Sequence, residues 1–211
     1  MQAGSEKKLK EHTERLTYLR MRIAVLFPGI GYHCDKPLLY YAGKLARQRG
    51  FDEVIRVSYT YAGGNIRGDA AAFASAFNAL YEQTAKQLDA VEWERYDELL
   101  FVSKSIGTVV AAAYAGRRDL KVRHILYTPL EETYEALEHE CRDSDPNGIA
   151  FIGTADPWSD TGLVEMQSRR SAIPITVIRY GNHSLETGDV GRDLDILRKV
   201  MEETAAFMED I

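Results

Sequence analysis

The chain has 211 residues and a net charge of −6, enough for one substantial α/β domain and too few for two ordinary ones. That acidic balance argues against nucleic acid or an anionic membrane surface as a partner, and no apolar run approaches the roughly 20 residues needed to span a bilayer. Hydrophobic residues make up 45% of the chain, so a full core is expected and disorder is not. The two cysteines, Cys34 and Cys141, show no metal-ligand spacing and fit a reducing compartment better than a disulfide framework. The charged N-terminal stretch GSEKKLKEHTERL lacks the apolar centre of a signal peptide, so the expected location is the cytoplasm.

Residues 1–20 are polar, with no apolar stripe wide enough for a core. They read either as an extension upstream of a start at Met21 or as a helical arm. A single domain is expected over 21–211. Within it, short apolar runs alternate with helical patterns. The expected strands are Ile23–Phe27, Val54–Ser58, Leu99–Val102, Ile125–Thr128, Ile149–Ile152 and Ile175–Ile178, and their near-continuous apolarity suits strands buried on both faces of a parallel sheet. The expected helices are Pro37–Arg49, Asp69–Val91, Ser105–Ala115, Glu131–Glu140, Ser159–Arg170 and Asp189–Met208. In the second helix Phe73, Phe77, Leu80 and Leu88 share a face and Asp69 is the N-cap; Gly116 stands where a C-cap of the third is wanted. Asp143–Gly148 reads as a turn cluster before strand five.

Strands alternating with helices make a doubly wound, mostly parallel six-stranded sheet with helices on both faces. Its ligand crevice opens at the carboxyl ends of the strands, where the winding reverses. With strand order 2-1-3-4-5-6, the first and third strands meet there, trailed by FPGIGYHCDK and SKSIGT.

Ser103-Lys104-Ser105-Ile106-Gly107 follows a strand and opens a helix, the arrangement of a nucleophile elbow. The turn is sharp, so the positions two before and two after the serine must be small. The helix N-terminus points at the hydroxyl, leaving the Ile106 N–H for a developing oxyanion. Serine and glycine also cap ordinary strand-to-helix turns, so the pentapeptide alone does not decide the matter. Phe27-Pro28-Gly29-Ile30-Gly31 supplies a second flexible loop for a convergent donor. A dinucleotide loop fits it less well: Cys34 stands where a third glycine belongs, and strand two ends without an acidic residue for a ribose. Gly153-Thr154-Ala155-Asp156-Pro157-Trp158 places an aspartate after strand five, and Tyr180-Gly181-Asn182-His183-Ser184 a histidine after strand six. A serine hydroxyl needs an imidazole to take its proton, and the imidazole needs a carboxylate to fix its tautomer. The chain order Ser, Asp, His is one known for such triads.

Together PGIG, SKSIG, GTADPW and GNHS resemble the α/β-hydrolase superfamily from Met21 to Ile211, most closely its compact, lidless members related to dienelactone hydrolases. The resemblance implies an eight-stranded parent sheet trimmed of its first two strands. It implies Ser105 as nucleophile, His183 as base, Asp156 as orienting acid, and the Ile30 and Ile106 N–H groups as oxyanion hole, with no cofactor and no metal. Two features depart from the pattern: Ser103 replaces the first glycine of the elbow, and Pro28-Gly29 stands where many members have His-Gly.

The expected chemistry is hydrolysis of a small ester or thioester through an acyl-serine. Two alternatives stand beside it, acyl transfer at the same site and a non-catalytic interaction protein that keeps the fold. The partner is a small acyl substrate, with a homodimer allowed for. Tyr32, His33, Tyr61 and Trp158 are candidate substrate contacts, and Arg67 suits a polar or anionic substrate end. Lys104 is expected to point away from the pocket, Glu131-Glu132 to be a solvated helix start, and His124 and His139 to be structural or solvated. The connectors Ser58–Gly68 and Pro129–Asn147 offer little apolar surface, which favours short acyl groups in a shallow, open pocket.

Overall fold

The computed structural model describes residues 20–140 and 147–209. The 1–20 segment, Arg20 apart, lies outside the described residues, as do Cys141 and most of the 143–148 turn cluster.

Six parallel strands form one sheet in the order β2-β1-β3-β4-β5-β6, the order on which the crevice argument depended. They are β1 (Arg22–Phe27), β2 (Glu53–Arg56), β3 (Glu98–Lys104), β4 (Arg123–Tyr127), β5 (Asn147–Gly153) and β6 (Ile175–Ile178). The helices are α1 (Pro37–Gln48), α2 (Ala70–Leu88), α3 (Ile106–Arg117), α4 (Glu131–Glu140), α5 (Thr161–Arg170) and α6 (Val190–Glu209). β1 and β3 run side by side from Arg22 opposite Glu98 to Phe27 opposite Ser103. Their trailing loops therefore emerge together. Among the described residues no helix is long and apolar enough to cross a membrane.

Side chains alternate across the sheet, and both faces are covered. Val25, Phe27, Leu99 and Phe101 pack with α2 and α3 on one face, while Ala24, Leu26, Leu100 and Val102 pack with α1 and α6 on the other. A smaller cluster joins Leu126, Ala150 and Ile152 to α4 and α5. This explains the unbroken apolar runs of β1 and β3. β2 and β6 are the sheet edges and stay partly exposed, so the expectation of two buried faces does not extend to them: each has only one neighbouring strand.

Two expected caps met different outcomes. Asp69 caps α2, its Oδ1 accepting the N–H groups of Ala71 at 3.0 Å and Ala72 at 2.9 Å. Gly116, by contrast, lies inside α3, which runs on to Arg117. Asp119 takes the left-handed turn instead, at φ 53°, and the Leu120 N–H closes back to the Ala115 carbonyl at 3.0 Å. An aspartate tolerates that conformation better than most side chains.

Gly107 is tightly packed against the loop after β1. A Cβ there would collide with the Pro28 carbonyl oxygen and come within 2.7 Å of the Phe27 carbonyl oxygen. Backbone on both sides leaves no room for relaxation. Gly107→Ala should destabilise the fold by about 2–4 kcal/mol. Gly64→Ala, whose Cβ would meet nothing within 4 Å, should change stability by less than about 0.5 kcal/mol. Urea midpoints of the two variants against the parent chain measure the difference.

Candidate active site

β3 ends at Lys104 and α3 begins at Ile106, so Ser105 alone makes the turn, at φ 57° and ψ −134°. A non-glycine residue at positive φ is strained, by roughly 1–3 kcal/mol, and persists where its surroundings hold it. Here the Ser105 N–H is bonded to the Tyr127 carbonyl at 3.1 Å, and the Ser105 carbonyl accepts the Thr108 N–H at 2.8 Å. The 28–31 loop presses on the same residue. A Cβ on Gly29 would lie 3.0 Å from Ser105 Cβ and 3.6 Å from its Oγ. That loop is a tight turn, with Gly29 N–H bonded to the Tyr32 carbonyl at 3.1 Å and Gly31 at φ 75°. The Ile30 N–H takes no part in the turn's backbone bonds. The Ile106 N–H is the first of α3 and has no partner within the helix.

The loops after β5 and β6 are joined to one another. The Ala155 N–H donates to the Gly181 carbonyl at 2.9 Å and the Thr154 N–H to the Ile178 carbonyl at 2.9 Å. A Cβ on Gly153 would collide with the Gly181 carbonyl. In the second loop Asn182 Oδ1 accepts the N–H groups of Ser184 at 2.7 Å and Glu186 at 3.1 Å. The result brings the three sequence-predicted side chains together. His183 Nε2 lies 2.8 Å from Ser105 Oγ, and His183 Nδ1 lies 2.7 Å from Asp156 Oδ2 and 2.9 Å from Oδ1. The Asp156 side chain is fully buried while that of His183 keeps 20% of its surface exposed. Asp156 Oδ1 also accepts the Trp158 N–H at 2.8 Å. Burial lowers the His183 pKa below 6.5, against the opposing effect of the hydrogen bond that Asp156 accepts from it.

Ser105 and His183 open on a cleft of about 500 Å³, within the range of small-ligand sites. Trp158 lines it, its ring 5.7 Å from the His183 ring, and so does Arg67. The other candidate contacts are placed elsewhere. Tyr32 packs with the α1/α6 cluster and its hydroxyl accepts the Leu38 N–H at 3.1 Å; burial pushes it up to about 12. It does not line the Ser105 cleft, because the Gly29–Tyr32 turn carries it beneath the loop and not over it. His33 and Tyr61 line an adjoining groove that shares Ile30 with the cleft.

Glu131 and Glu132 are not simply a solvated helix start. Both line the cleft; Glu131 Oε1 accepts the Asp160 N–H at 2.8 Å, and burial raises the Glu132 pKa. The lining is also more apolar than the connectors implied. Ile66, Phe73 and Leu130 contribute to it, one from the long 58–68 connector, one from the first turn of α2 and one from just past β4. Their place after strand ends was readable, but Phe73 and Leu130 looked like ordinary core residues.

Cys34 is buried near the Leu26 and Val57 carbonyls, and burial pushes its thiol up to about 11, unsuited to a nucleophile. His124 is buried edge-on against Phe101 at the far end of the sheet and lowered to about 4 by burial. The placement of the His139 side chain lies outside what is described.

No protein-family model and no curated protein matches the chain. Solved structures do resemble it. An α/β serine hydrolase without a lid from Xanthomonas campestris shares 15% identity, with a TM-score of 0.53 over 90% of this chain and 83% of that one. Est1E from Butyrivibrio proteoclasticus, solved with ferulic acid bound, shares 11% identity, with a TM-score of 0.61 over 90% and 88%. An α/β serine hydrolase homologue from Coxiella burnetii shares 12% identity, with a TM-score of 0.54 over 87% and 84%. At such identities the likeness is one of architecture. The fold of this chain is that of the α/β-hydrolase superfamily.

Proposed function

We propose that this protein is a serine hydrolase that cleaves a small ester or thioester through an acyl-serine intermediate. The observation that carries the reading is the Ser105–His183–Asp156 relay, 2.8 Å and 2.7 Å long, set at a strained turn that opens on a cleft. A binding module has no use for a strained serine hydrogen-bonded to a carboxylate-backed imidazole.

In the proposed cycle His183 Nε2 takes the Ser105 proton as Oγ attacks the acyl carbon. Asp156 holds Nδ1–H and stabilises the imidazolium as it forms. The Ile30 and Ile106 N–H groups receive the oxyanion. His183 then protonates the leaving alcohol or thiol. Water, activated by the same imidazole, attacks the acyl-serine and releases the acid, regenerating Ser105. An alcohol or thiol in place of that water would make the site an acyltransferase.

A fluorophosphonate probe is expected to label Ser105 alone. Ser105→Ala should abolish labelling and reduce kcat by on the order of 10³-fold or more while the chain stays folded. Labelling undiminished in that variant would return the chain to the binding-module reading.

Because the base must be neutral to accept a proton, kcat/KM should fall as pH drops through the lowered His183 pKa, with a midpoint below 6.5. A pH profile with p-nitrophenyl acetate measures it, and a midpoint at or above 6.5 would contradict the assignment.

The Ile66, Phe73 and Leu130 lining rewards some apolar burial, at about 0.8 kcal/mol per methylene. The cleft of about 500 Å³ limits how far that continues. Across p-nitrophenyl esters from acetate to palmitate, kcat/KM should rise over the first few methylenes and then flatten or fall. A steady rise to palmitate would exclude a small substrate.

A further inference from the structure

Lys104 is the one residue of β3 whose chemistry contradicts its surroundings. The strand opens at Glu98, which is paired with Arg22 and Arg123, and then runs apolar to Ser103; Lys104 is buried like Leu100 to Ser103, with no exposed surface, but has no such pairing. Its Nζ has no hydrogen-bond partner among the described residues. The side chain lies on the α1/α6 face with Leu100 and Val102, beneath the site and out of the cleft, and its ammonium nitrogen sits 5.0 Å from the centroid of the Tyr32 ring. It is thus directly joined to Ser105 and covered by the residue that closes the Gly29–Tyr32 turn. A buried ammonium with three unused donors is retained only where opposite charge lies nearby or where it can shed its proton.

The groups around it identify that charge. Tyr127 of β4 pairs with Lys104 in register, and its hydroxyl shares a hydrogen bond of 2.7 Å with that of Thr204 of α6. Burial raises the pKa of both Tyr127 and Tyr32, so both are neutral near neutral pH. Glu186 acts on Tyr32 from the loop after β6. The buried carboxylate of the same site is Asp156, which His183 joins to Ser105, the residue next to Lys104; its negative charge raises the Lys104 pKa, and the positive charge of Lys104 lowers that of His183.

We propose that Lys104 is a positioning residue of this site, the buried counter-charge to Asp156, and that through Asp156 and His183 it sets the basicity of the imidazole. The inference rests on the serine-hydrolase reading for its functional meaning, though the charge coupling itself does not. When Lys104 is protonated it balances the Asp156 carboxylate and disfavours the imidazolium, so His183 stays neutral to lower pH. When Lys104 is neutral, Asp156 is uncompensated and favours the imidazolium, so His183 becomes the stronger base. Burial lowers the Lys104 pKa to about 7, against the pull of Asp156. The switch between the two states therefore falls near neutrality.

The test is Lys104→Met, an unbranched neutral side chain of similar length, made in the full chain. The His183 imidazole is titrated by NMR, and the acid limb of kcat/KM is measured with p-nitrophenyl acetate. Loss of the positive charge should raise the His183 pKa by roughly half a unit to one unit, and the acid limb should move up by the same amount. An unchanged His183 pKa in the folded variant overturns the proposal. In the wild-type chain the His183 resonance should show a second inflection at the pH where the Lys104 amine, followed by ¹⁵N NMR, loses its proton. Its absence overturns the proposal even if Lys104→Met does not fold. If the inflection is present but fluorophosphonate leaves Ser105 unlabelled, the charge coupling stands and the hydrolase reading fails.

Discussion

Ser105 occupies a backbone conformation that its own side chain disfavours, and much of the local architecture consists of what holds it there. The turn from β3 into α3 must be completed in one residue. It works because Gly107 lets α3 begin against the Phe27 and Pro28 carbonyls, and because Gly29 lets the neighbouring loop close down on the serine. The strain at φ 57°, of roughly 1–3 kcal/mol, is small beside the burial on both faces of the sheet. Val25 and Phe27 anchor one face and Leu26 and Val102 the other, so the strand ends cannot relax without opening the core.

The same packing decides what the turn presents. α3 directs its N-terminus, with unpaired N–H groups and the positive end of its dipole, at the serine hydroxyl. The parallel arrangement brings the loops after β1, β5 and β6 to the same edge as the loop after β3. Asp156 and His183, 27 residues apart in sequence, meet because Gly153 and Gly181 allow their two loops to touch. The fold by itself carries no activity; the proposed chemistry belongs to these few contacts.

Burial shapes the electrostatics as firmly as it shapes the backbone. Asp156 is buried and must be partnered, and His183 supplies one partner while the Trp158 N–H supplies another. His183 itself is held below its ordinary pKa by desolvation, which suits the base proposed here, since it must be neutral before it acts. Cys34 and His124 show the same desolvation at positions that do not line the Ser105 cleft.

Much of this was legible in the amino-acid sequence. The apolar runs marked all six strands, the 3.6-residue patterns marked the helices, and Asp69 announced the start of α2. Ser105, Asp156 and His183 could be named because each follows a strand, and parallel strands must deliver such positions to one edge. Those signals are local, carried by periodicity and turn chemistry within a few residues. What the sequence could not express was which distant segment covers which side chain. Lys104 reads as a charged residue beside a turn, yet the pleat sends it under Tyr32. Tyr32 itself reads as a pocket residue and is carried away by the turn that precedes it. Glu132 and Phe73 line the cleft because α2 and α4 flank the same strand ends, and Asp119 ends α3 where Gly116 was the more obvious breaker. Burial depends on chain segments tens of residues apart, and only the tertiary structure brings them into contact.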